Sequence, residues 1–411
     1  MLKISKEFTE FTETHKEMDS GTLLLTFTGK CDFDLKLAVS TIEGRKKMVK
    51  KVPEWGVNKE IIYPTQLSVE QCSSWHTAQF KQRFFIETSL VFDFTGGLGV
   101  DSYYISKVCK ELCMFEKSYS LYIAALHNFS ILSAENINVQ HIEISTLTIG
   151  SLMQKEINSK GSDLRIKAYI DPSRRGKGGK RLYSVKDYEP DLLEIKDEIL
   201  KYADELLVKI SPMEDISLVL KQVEGCERLF ILSVNNECKE LLLLLNSNSI
   251  RKNWDEVPLE AYNLKKDGSW EVTRWTIKEE MEREITYIIP QTGMFLYEPN
   301  SSIIKGGAFK TIAQKFELSK AEKSSHLYFS NELKKDFQGR CFLIEDIYDF
   351  GKREMRRVSE KYPRASVSVR NFPISSEELR KRLKIDEGEE LHIFGTLLPQ
   401  NQKKLIVCRK I

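Results

Sequence analysis

Between Ser89 and Asp101 the chain reads Ser-Leu-Val-Phe-Asp-Phe-Thr-Gly-Gly-Leu-Gly-Val-Asp, an apolar run that empties into three closely spaced glycines. Val91 and Phe92 predict a strand buried on both faces, as in a parallel sheet. Asp93 to Gly99 predict a turn whose glycines let backbone N–H groups approach a ligand. Ser102 to Lys110 follows as a helix, with Tyr103, Tyr104, Ile105 and Val108 as its apolar set. Leu112 to Glu116 then predicts a second short strand that ends in an acid, 17 positions beyond Gly99. In a nucleotide-binding βαβ unit an acid so placed reaches the ribose hydroxyls, while the first turn cradles the part of the ligand nearest the helix.

The turn argues against two common ligands. A P-loop ends in Gly-Lys-Ser/Thr, and here Gly99 is followed by Val100 and Asp101. A dinucleotide fingerprint counted from Gly97 and Gly99 needs a third glycine where Ser102 stands. Asp93 sits badly beside a pyrophosphate but well beside a cation such as the amino group and sulfonium of S-adenosylmethionine (SAM). On these residues, Asp93-Phe94-Thr95-Gly96-Gly97-Leu98-Gly99 resembles the first motif of class I SAM-dependent methyltransferases, and Glu116 resembles their ribose-binding acid. The resemblance implies SAM as cofactor, held by Asp93, Thr95, Gly96, Gly97, Gly99 and Glu116. It also implies a polar lid ahead of the first strand, for which Gln71, Ser73, Ser74 and Thr77 are candidates. Ordinary helix capping by Ser73 and Ser74 is the competing reading.

A chain of 411 residues has room for two or three domains. Its 62 basic and 60 acidic residues leave a formal charge of +2, so any nucleic-acid surface must be local. There is no apolar run of membrane length, the longest pure leucine run being Leu241 to Leu245, and Met1 to Glu7 has no hydrophobic signal core. The expectation is a cytoplasmic protein without a membrane partner. The eight cysteines show no C-x-x-C pairing and read as reduced thiols rather than a zinc site.

The second chemical stretch is Ala168-Tyr169-Ile170-Asp171-Pro172-Ser173-Arg174-Arg175, a strand that ends in Asp-Pro. Proline fixes its own φ and restrains the residue before it, so Asp171 is held at a strand's carboxyl end, where ligands sit in open α/β sheets. The stretch resembles the fourth motif of class I methyltransferases, with Ser173 and Arg174 in place of the second proline and the stacking aromatic. That resemblance makes Asp171, Pro172, Ser173 and Arg174 the catalytic candidates. Asp-Pro-x-Arg also looks like RNA 5-methyluridine methyltransferases, which need a cysteine nucleophile after the next strand. Here Glu205 to Ile210 runs into Ser211-Pro212-Met213-Glu214-Asp215, so covalent C5 chemistry is disfavoured. Arg174 to Arg181 holds five basic residues, Arg174, Arg175 and Lys177 among them, interleaved with three glycines. It reads either as a phosphate clamp or as a solvated loop.

The rest of the chain divides by pattern. Asp34 to Lys51 predicts a helix with a basic end, Tyr119 to Phe129 a helix in which His127 is structural, and Val139 to Ile144 a third strand. Strands and helices alternate to about residue 250, which predicts a doubly wound, Rossmann-like α/β domain. Beyond it, strands are expected at Trp270–Trp275 and Thr286–Ile289, and Met294–Pro299 leads into a helix from Gly306 to about Phe316. Further strands are expected at Cys341–Ile347, Ala365–Val369, Leu391–Leu398 and Lys404–Arg409, with helices at Lys352–Lys361 and Glu377–Lys384. Residues 339–411 hold 16 Lys/Arg against 11 Asp/Glu, so the positive face lies here.

In order and texture the parts resemble a bacterial family of class I SAM-dependent methyltransferases that end in a THUMP-like domain, with a small ferredoxin-like module before it. Its most specific marks are the glycine turn, Asp171-Pro172-Ser173-Arg174-Arg175, and Tyr297-Glu298-Pro299-Asn300 with Lys305-Gly306-Gly307-Ala308-Phe309. The expected partition is an N-terminal helical region at 1–80, the methyltransferase domain at 81–265, a ferredoxin-like α+β module at 266–324 and a THUMP-like domain at 325–411. Because THUMP domains accompany RNA-modifying enzymes, the resemblance implies a structured RNA such as tRNA as substrate. Arg353, Arg356 and Arg357, on one helix face with Lys352, are the phosphate-contact candidates, Glu354 and Glu360 offering a self-balanced surface instead. An inactive RNA-binding relative and a small-molecule methyltransferase are the other two readings.

Overall fold

Strand β1, Ser89–Asp93, has all five residues buried and lies between two parallel neighbours. The computed structural model describes residues 4–160, 164–174, 185, 188–248 and 252–411. These fall into two compact units, residues 1–229 with 240–254, and residues 230–239 with 255–411.

In the first unit β1 pairs on one side with β2, Glu111–Glu116, and on the other with β4, Arg165–Ile170. Outside β2 lies β3, Ile137–His141, and outside β4 lies the strand Glu205–Ile210, all parallel. The chain thus builds outward from β1 in one direction and then in the other, which opens a crevice at the carboxyl ends of β1 and β4. Leu241 to Asn246 adds an antiparallel strand beside Glu205–Ile210. This is the leucine run whose length alone carried meaning in the sequence. A short, wholly apolar run has no period with which to declare itself strand or helix. Strand β3 stops at His141, three residues short of its expected end, so Ile142 to Ser145 lie beyond the sheet edge.

The N-terminal helices form where capping residues start them: Ser5, Asp19, Asp34, Thr65 and Ser74 each accept a backbone N–H three residues on. They are no loose appendage. Phe8, Phe11, Leu23, Ala38, Val39 and Ile42 share a core with Ala124 of the helix Tyr119–Ile131. The basic end of Leu35–Lys51 is largely spoken for: Arg45 turns inward to Glu13 at 2.9 Å, and Lys47 meets Glu70 at 2.6 Å.

The second unit carries a seven-stranded sheet in the order Ser319–Lys320, Tyr328–Ser330, Phe295–Pro299, Gly339–Asp349, Gln402–Lys410, Leu391–Leu398, Ser366–Arg370. Its apolar faces are filled by two clusters, one around Leu296, Phe342 and Phe394 and the other around Val358, Leu379 and Leu405. The strand expected at Thr286–Ile289 reduces to one bridge, Tyr287 to Lys320. Pro290 follows at once, and Tyr287 and Ile289 stay exposed, so neither donors nor a buried face sustain a longer pairing. The helix expected from Gly306 breaks into Ser301–Gly306 and Phe309–Lys315 at Gly307, whose φ of 75° ends the first.

Asn128 shows how the helical region is joined to the sheet layer. Fully buried, it gives Nδ2 to the Ile62 carbonyl and takes the Ile62 N–H, both at 3.0 Å, as a strand neighbour would. Asn128→Ala would leave both groups unpaired and dry, at a cost of about 1–3 kcal/mol each. Urea unfolding should show the midpoint falling accordingly. A midpoint equal to the parent's would mean that water reaches Ile62.

Candidate active site

The turn after β1 is pinned to β2 from below. Gly96 donates its N–H to the Phe115 carbonyl at 2.9 Å, and Gly97 donates to Glu116 Oε2 at 2.7 Å. Gly99 donates to the Gly96 carbonyl at 2.9 Å, so all three glycine N–H groups are spent within the protein and none is presented to a ligand as the sequence suggested. Gly96 and Gly99 are glycines for closeness, since an added Cβ would stand 2.1 Å from Met114 and 2.6 Å from Phe129. Gly97, with φ 56°, has open space around that position. It forms the cradle.

Above the turn, at the carboxyl ends of β1 to β4, opens a cavity of about 500 Å³. Gln71, Asp93, Thr95, Gly96, Gly97, Gly99, Glu116, Asp171 and Ser173 all line it. Ser74 does not: its side chain caps the helix Trp75–Gln82. Ser73, one residue earlier, turns inward instead. Pro172 is buried beside the cavity without lining it, and Arg174 pairs through its backbone with Tyr188 in a two-residue ladder. Arg175 and Lys177 lie outside the described residues.

The lining is strongly acidic. Among the described residues, Asp93, Asp101, Glu116, Glu143, Asp171, Glu189, Asp191 and Glu194 face one lysine, Lys117, which is itself tied to Glu189 at 2.6 Å. Glu116 takes the Gly97 N–H on one oxygen and the Ser118 N–H, at 2.7 Å, on the other. A carboxylate accepts about four hydrogen bonds, so capacity remains for hydroxyl donors. Asp93 is 1% exposed and accepts from Ser102 Oγ at 2.5 Å and the Thr95 N–H at 3.0 Å. Burial, with Asp101 and Asp171 nearby, pushes its pKa up to about 7 against those two hydrogen bonds.

Behind the lining lies a charge network. Asp171 meets Lys209 Nζ at 2.6 Å and gives its N–H to Thr95 Oγ1 at 2.6 Å. Lys81, with no exposed surface, reaches Glu240 at 2.6 Å, Asp101 at 3.3 Å and Ser73 Oγ at 3.1 Å. Ser73 also accepts from Lys209 at 3.3 Å and donates to Asp101 at 2.8 Å, and Tyr169 donates to Asp101 at 2.7 Å. Burial would raise the Asp101 carboxyl, but Lys81 and Lys209 outweigh it and hold it low. Burial would lower Lys209, but Asp171, Asp101 and Glu240 outweigh it and raise it.

Asp101, Tyr169, Lys81, Lys209, Glu240 and Glu143 were not singled out from sequence. Two signals were present: Lys209 interrupts an apolar strand, and Glu240 opens the leucine run. Glu143 was hidden by the longer strand expected there. Cys72 also lines the cavity, yet burial raises its thiol pKa and its Sγ donates to the Val69 carbonyl, so it is a poor thiolate. In the second unit, Arg353 is exposed, while Arg356 pairs with Glu360 at 2.8 Å and Arg357 with Glu354 at 3.0 Å. The self-balanced surface is what that helix displays. Ser375 caps Ser376–Leu383 with its hydroxyl, and the Glu378 carboxylate goes to Arg382.

Residues 295–337 match a ferredoxin-like domain family, and residues 339–410 match a THUMP-domain-like family. Over its whole length the chain is 30% identical to a candidate methyltransferase from Porphyromonas gingivalis W83, each chain being covered in full, and the two structures superpose with a TM-score of 0.86. An rRNA methylase from Streptococcus thermophilus, at 16% identity, covers 42% of this chain with 93% of its own. A candidate methyltransferase from Streptococcus mutans in complex with SAH, at 14%, covers 42% with 95% of its own. Both give a TM-score of 0.29, too low to bear on this chain. A search of curated proteins returns no match.

The raised Asp93 has a thermodynamic signature. Its contribution to stability is complete only below the unfolded-state pKa of about 4 and is lost as pH climbs through about 7. Asp93→Asn keeps an acceptor for Ser102 and Thr95 without the charge. Between pH of about 5 and about 8, urea midpoints should therefore fall more steeply for the parent than for the variant. Parallel pH profiles would exclude Asp93 as the titrating group.

Proposed function

The chain belongs to the family of class I methyltransferase-fold proteins that end in ferredoxin-like and THUMP-like modules, and on that premise we propose that it methylates RNA with SAM as donor. The observation that carries the reading is the cavity's charge. Among the described residues eight acidic side chains and one lysine line it. Even with Asp101 and Asp171 offset by Lys81 and Lys209, and the Asp93 pKa raised to about 7, the remaining carboxylates suit a ligand bearing a sulfonium and an ammonium and repel a pyrophosphate. When bound, SAM supplies an electrophilic methyl on a positively charged sulfur. Gly97 gives the ligand room at the turn, and Glu116 is the acceptor for ribose hydroxyls. Glu143 and the apolar Ile142, Ile144 and Leu121 line the wall beyond β2 and β3, where a purine would rest.

Asp171 is the acceptor-side group. Held to Lys209 at 2.6 Å through one oxygen, it presents carboxylate oxygens as hydrogen-bond acceptors at the cavity. Placed beside an exocyclic amine, it would orient the N–H groups and offset the positive charge that grows on nitrogen as the methyl arrives. Among the described residues Cys72 is the thiol of the cavity wall, and burial raises its pKa, which disfavours a cysteine nucleophile. The THUMP-like region supports RNA as the substrate class, and tRNA or rRNA bases are the expected targets. The place of work would be the cytoplasm; among the described residues no helix is long and apolar enough to cross a membrane.

Labelled SAM incubated with total RNA from a strain lacking the gene, followed by nucleoside mass spectrometry, tests the whole reading. A methylated nucleoside is expected, and label confined to small molecules would overturn the RNA substrate. By calorimetry, Glu116→Ala should lose about tenfold to a hundredfold in SAM affinity, the worth of a charged hydrogen-bond partner. Asp171→Asn should retain SAM and lose about a hundredfold in turnover. A covalent adduct trapped on 5-fluorouridine RNA would instead require a cysteine nucleophile.

A further inference from the structure

In the sheet of the second unit, one buried carboxylate holds two guanidinium groups. Glu298 stands opposite Arg340 in the ladder between Phe295–Pro299 and Gly339–Asp349, and its side chain is 3% exposed. Arg340 donates Nε to Glu298 Oε2 at 2.7 Å and sets Nη2 against the same oxygen. Arg370 ends the strand Ser366–Arg370 at the far edge of the sheet, yet its Nη2 pairs with the other oxygen of Glu298, while Nη1 donates to the Val369 carbonyl at 2.7 Å. The sheet curls to bring these edges together.

The arrangement leaves binding capacity over. A guanidinium has five N–H donors, and neither arginine spends all of its own on Glu298 and the backbone. Their side chains are 36% and 34% exposed, so both reach solvent while their inner edges are fixed. Two positive charges face one negative charge. On the same stretch of sheet His392 is 7% exposed, lies against Phe342 and Phe394 with ring centroids 5.2 and 4.3 Å away, and has no hydrogen-bond partner on Nε2 among the described residues. Burial, then Arg340, Arg370 and Lys410, push its pKa down to about 3. An uncompensated positive field and an unpartnered buried nitrogen meet at one place.

We propose that Arg340, Arg370 and His392 form a phosphate subsite, which, resting on the RNA reading above, takes a backbone phosphodiester. Each arginine offers a pre-oriented edge, the geometry that matches phosphate oxygens. The neutral imidazole adds an N–H donor. A mere structural staple explains this less well, because one arginine would neutralise Glu298 and a buried ionic triad is a poor source of stability.

The test uses the full chain in two arms. With histidine 15N-labelled, inorganic phosphate titrated into the parent should move the His392 ring resonances saturably and raise its pKa, while chloride at equal ionic strength should not. In the second arm, Arg340→Gln and Arg370→Gln, checked for folding by circular dichroism, should each flatten the slope of log K against log salt for single-stranded RNA by about 0.7. Arg340→Lys, which keeps the charge and loses the fork, should bind RNA more weakly than the parent. If the parent binds no RNA but phosphate still saturates His392, the subsite stands for free phosphate and the RNA reading fails. If the parent binds RNA, the slopes of all variants match it and phosphate leaves His392 unmoved, the RNA reading survives and the subsite is overturned.

Discussion

Two lysines, Lys81 with no access to water and Lys209 with little, set the terms for the first unit. An ammonium group buried alone would cost several kcal/mol, so each must be met by carboxylates at contact distance. Lys81 is met by Glu240 and Asp101, and Lys209 by Asp171 and, at longer range, by Asp101 and Glu240. Ser73 and Tyr169 fill the remaining hydrogen-bond positions around Asp101. Three anions against two cations leave the cluster net negative, with Asp101 and Asp171 in the cavity wall itself. The same contacts join the helix Trp75–Gln82, Asp101 in the helix Val100–Ser106 that follows the glycine turn, β4 and both strands beyond it. The network positions Asp171 and sets the sign of the potential that a ligand meets.

The glycine turn works with that network by geometry. Gly96 and Gly99 allow β2 and the helix Tyr119–Ile131 to pack against the turn without space for a side chain, and the Gly97 N–H anchors Glu116. The turn is thereby rigid on its inner side and open on its outer side at Gly97. A cationic ligand entering there meets carboxylates already held by backbone donors, so little reorganisation is left to be done on binding.

The second unit solves a different problem. The ferredoxin-like and THUMP-like stretches share one sheet, because Phe295–Pro299 pairs along Gly339–Leu343, so the boundary between two family matches runs through a ladder of backbone hydrogen bonds. Glu298 lies in that ladder, and its grip on Arg340 and Arg370 draws the outer edge of the sheet back toward its middle. Charge is concentrated at this joint, whereas the helix Lys352–Lys361 spends most of its arginines on its own glutamates.

What the sequence determined by itself is local. The strand, glycine turn and acid after β2 were legible because φ demands at glycine act over a few residues, and a parallel strand buried on both faces must be apolar throughout. Asp171 was legible because proline restrains its neighbour, and the start of Leu35–Lys51 because Asp34 bonds the N–H three residues away. Tertiary structure decided everything that depends on a distant partner. Of two adjacent serines, Ser74 caps and Ser73 faces the cavity, a choice made by Asp101, 28 residues on. Lys81 and Glu240 stand 159 residues apart, and nothing in either segment announces the other. Whether a buried charge is tolerable depends on which strand comes to lie beside it, and the leucine run became a strand only because Glu205–Ile210 offered an edge. Local sterics can be read from neighbours in the chain, but the neutralisation of buried charge is settled by neighbours in space.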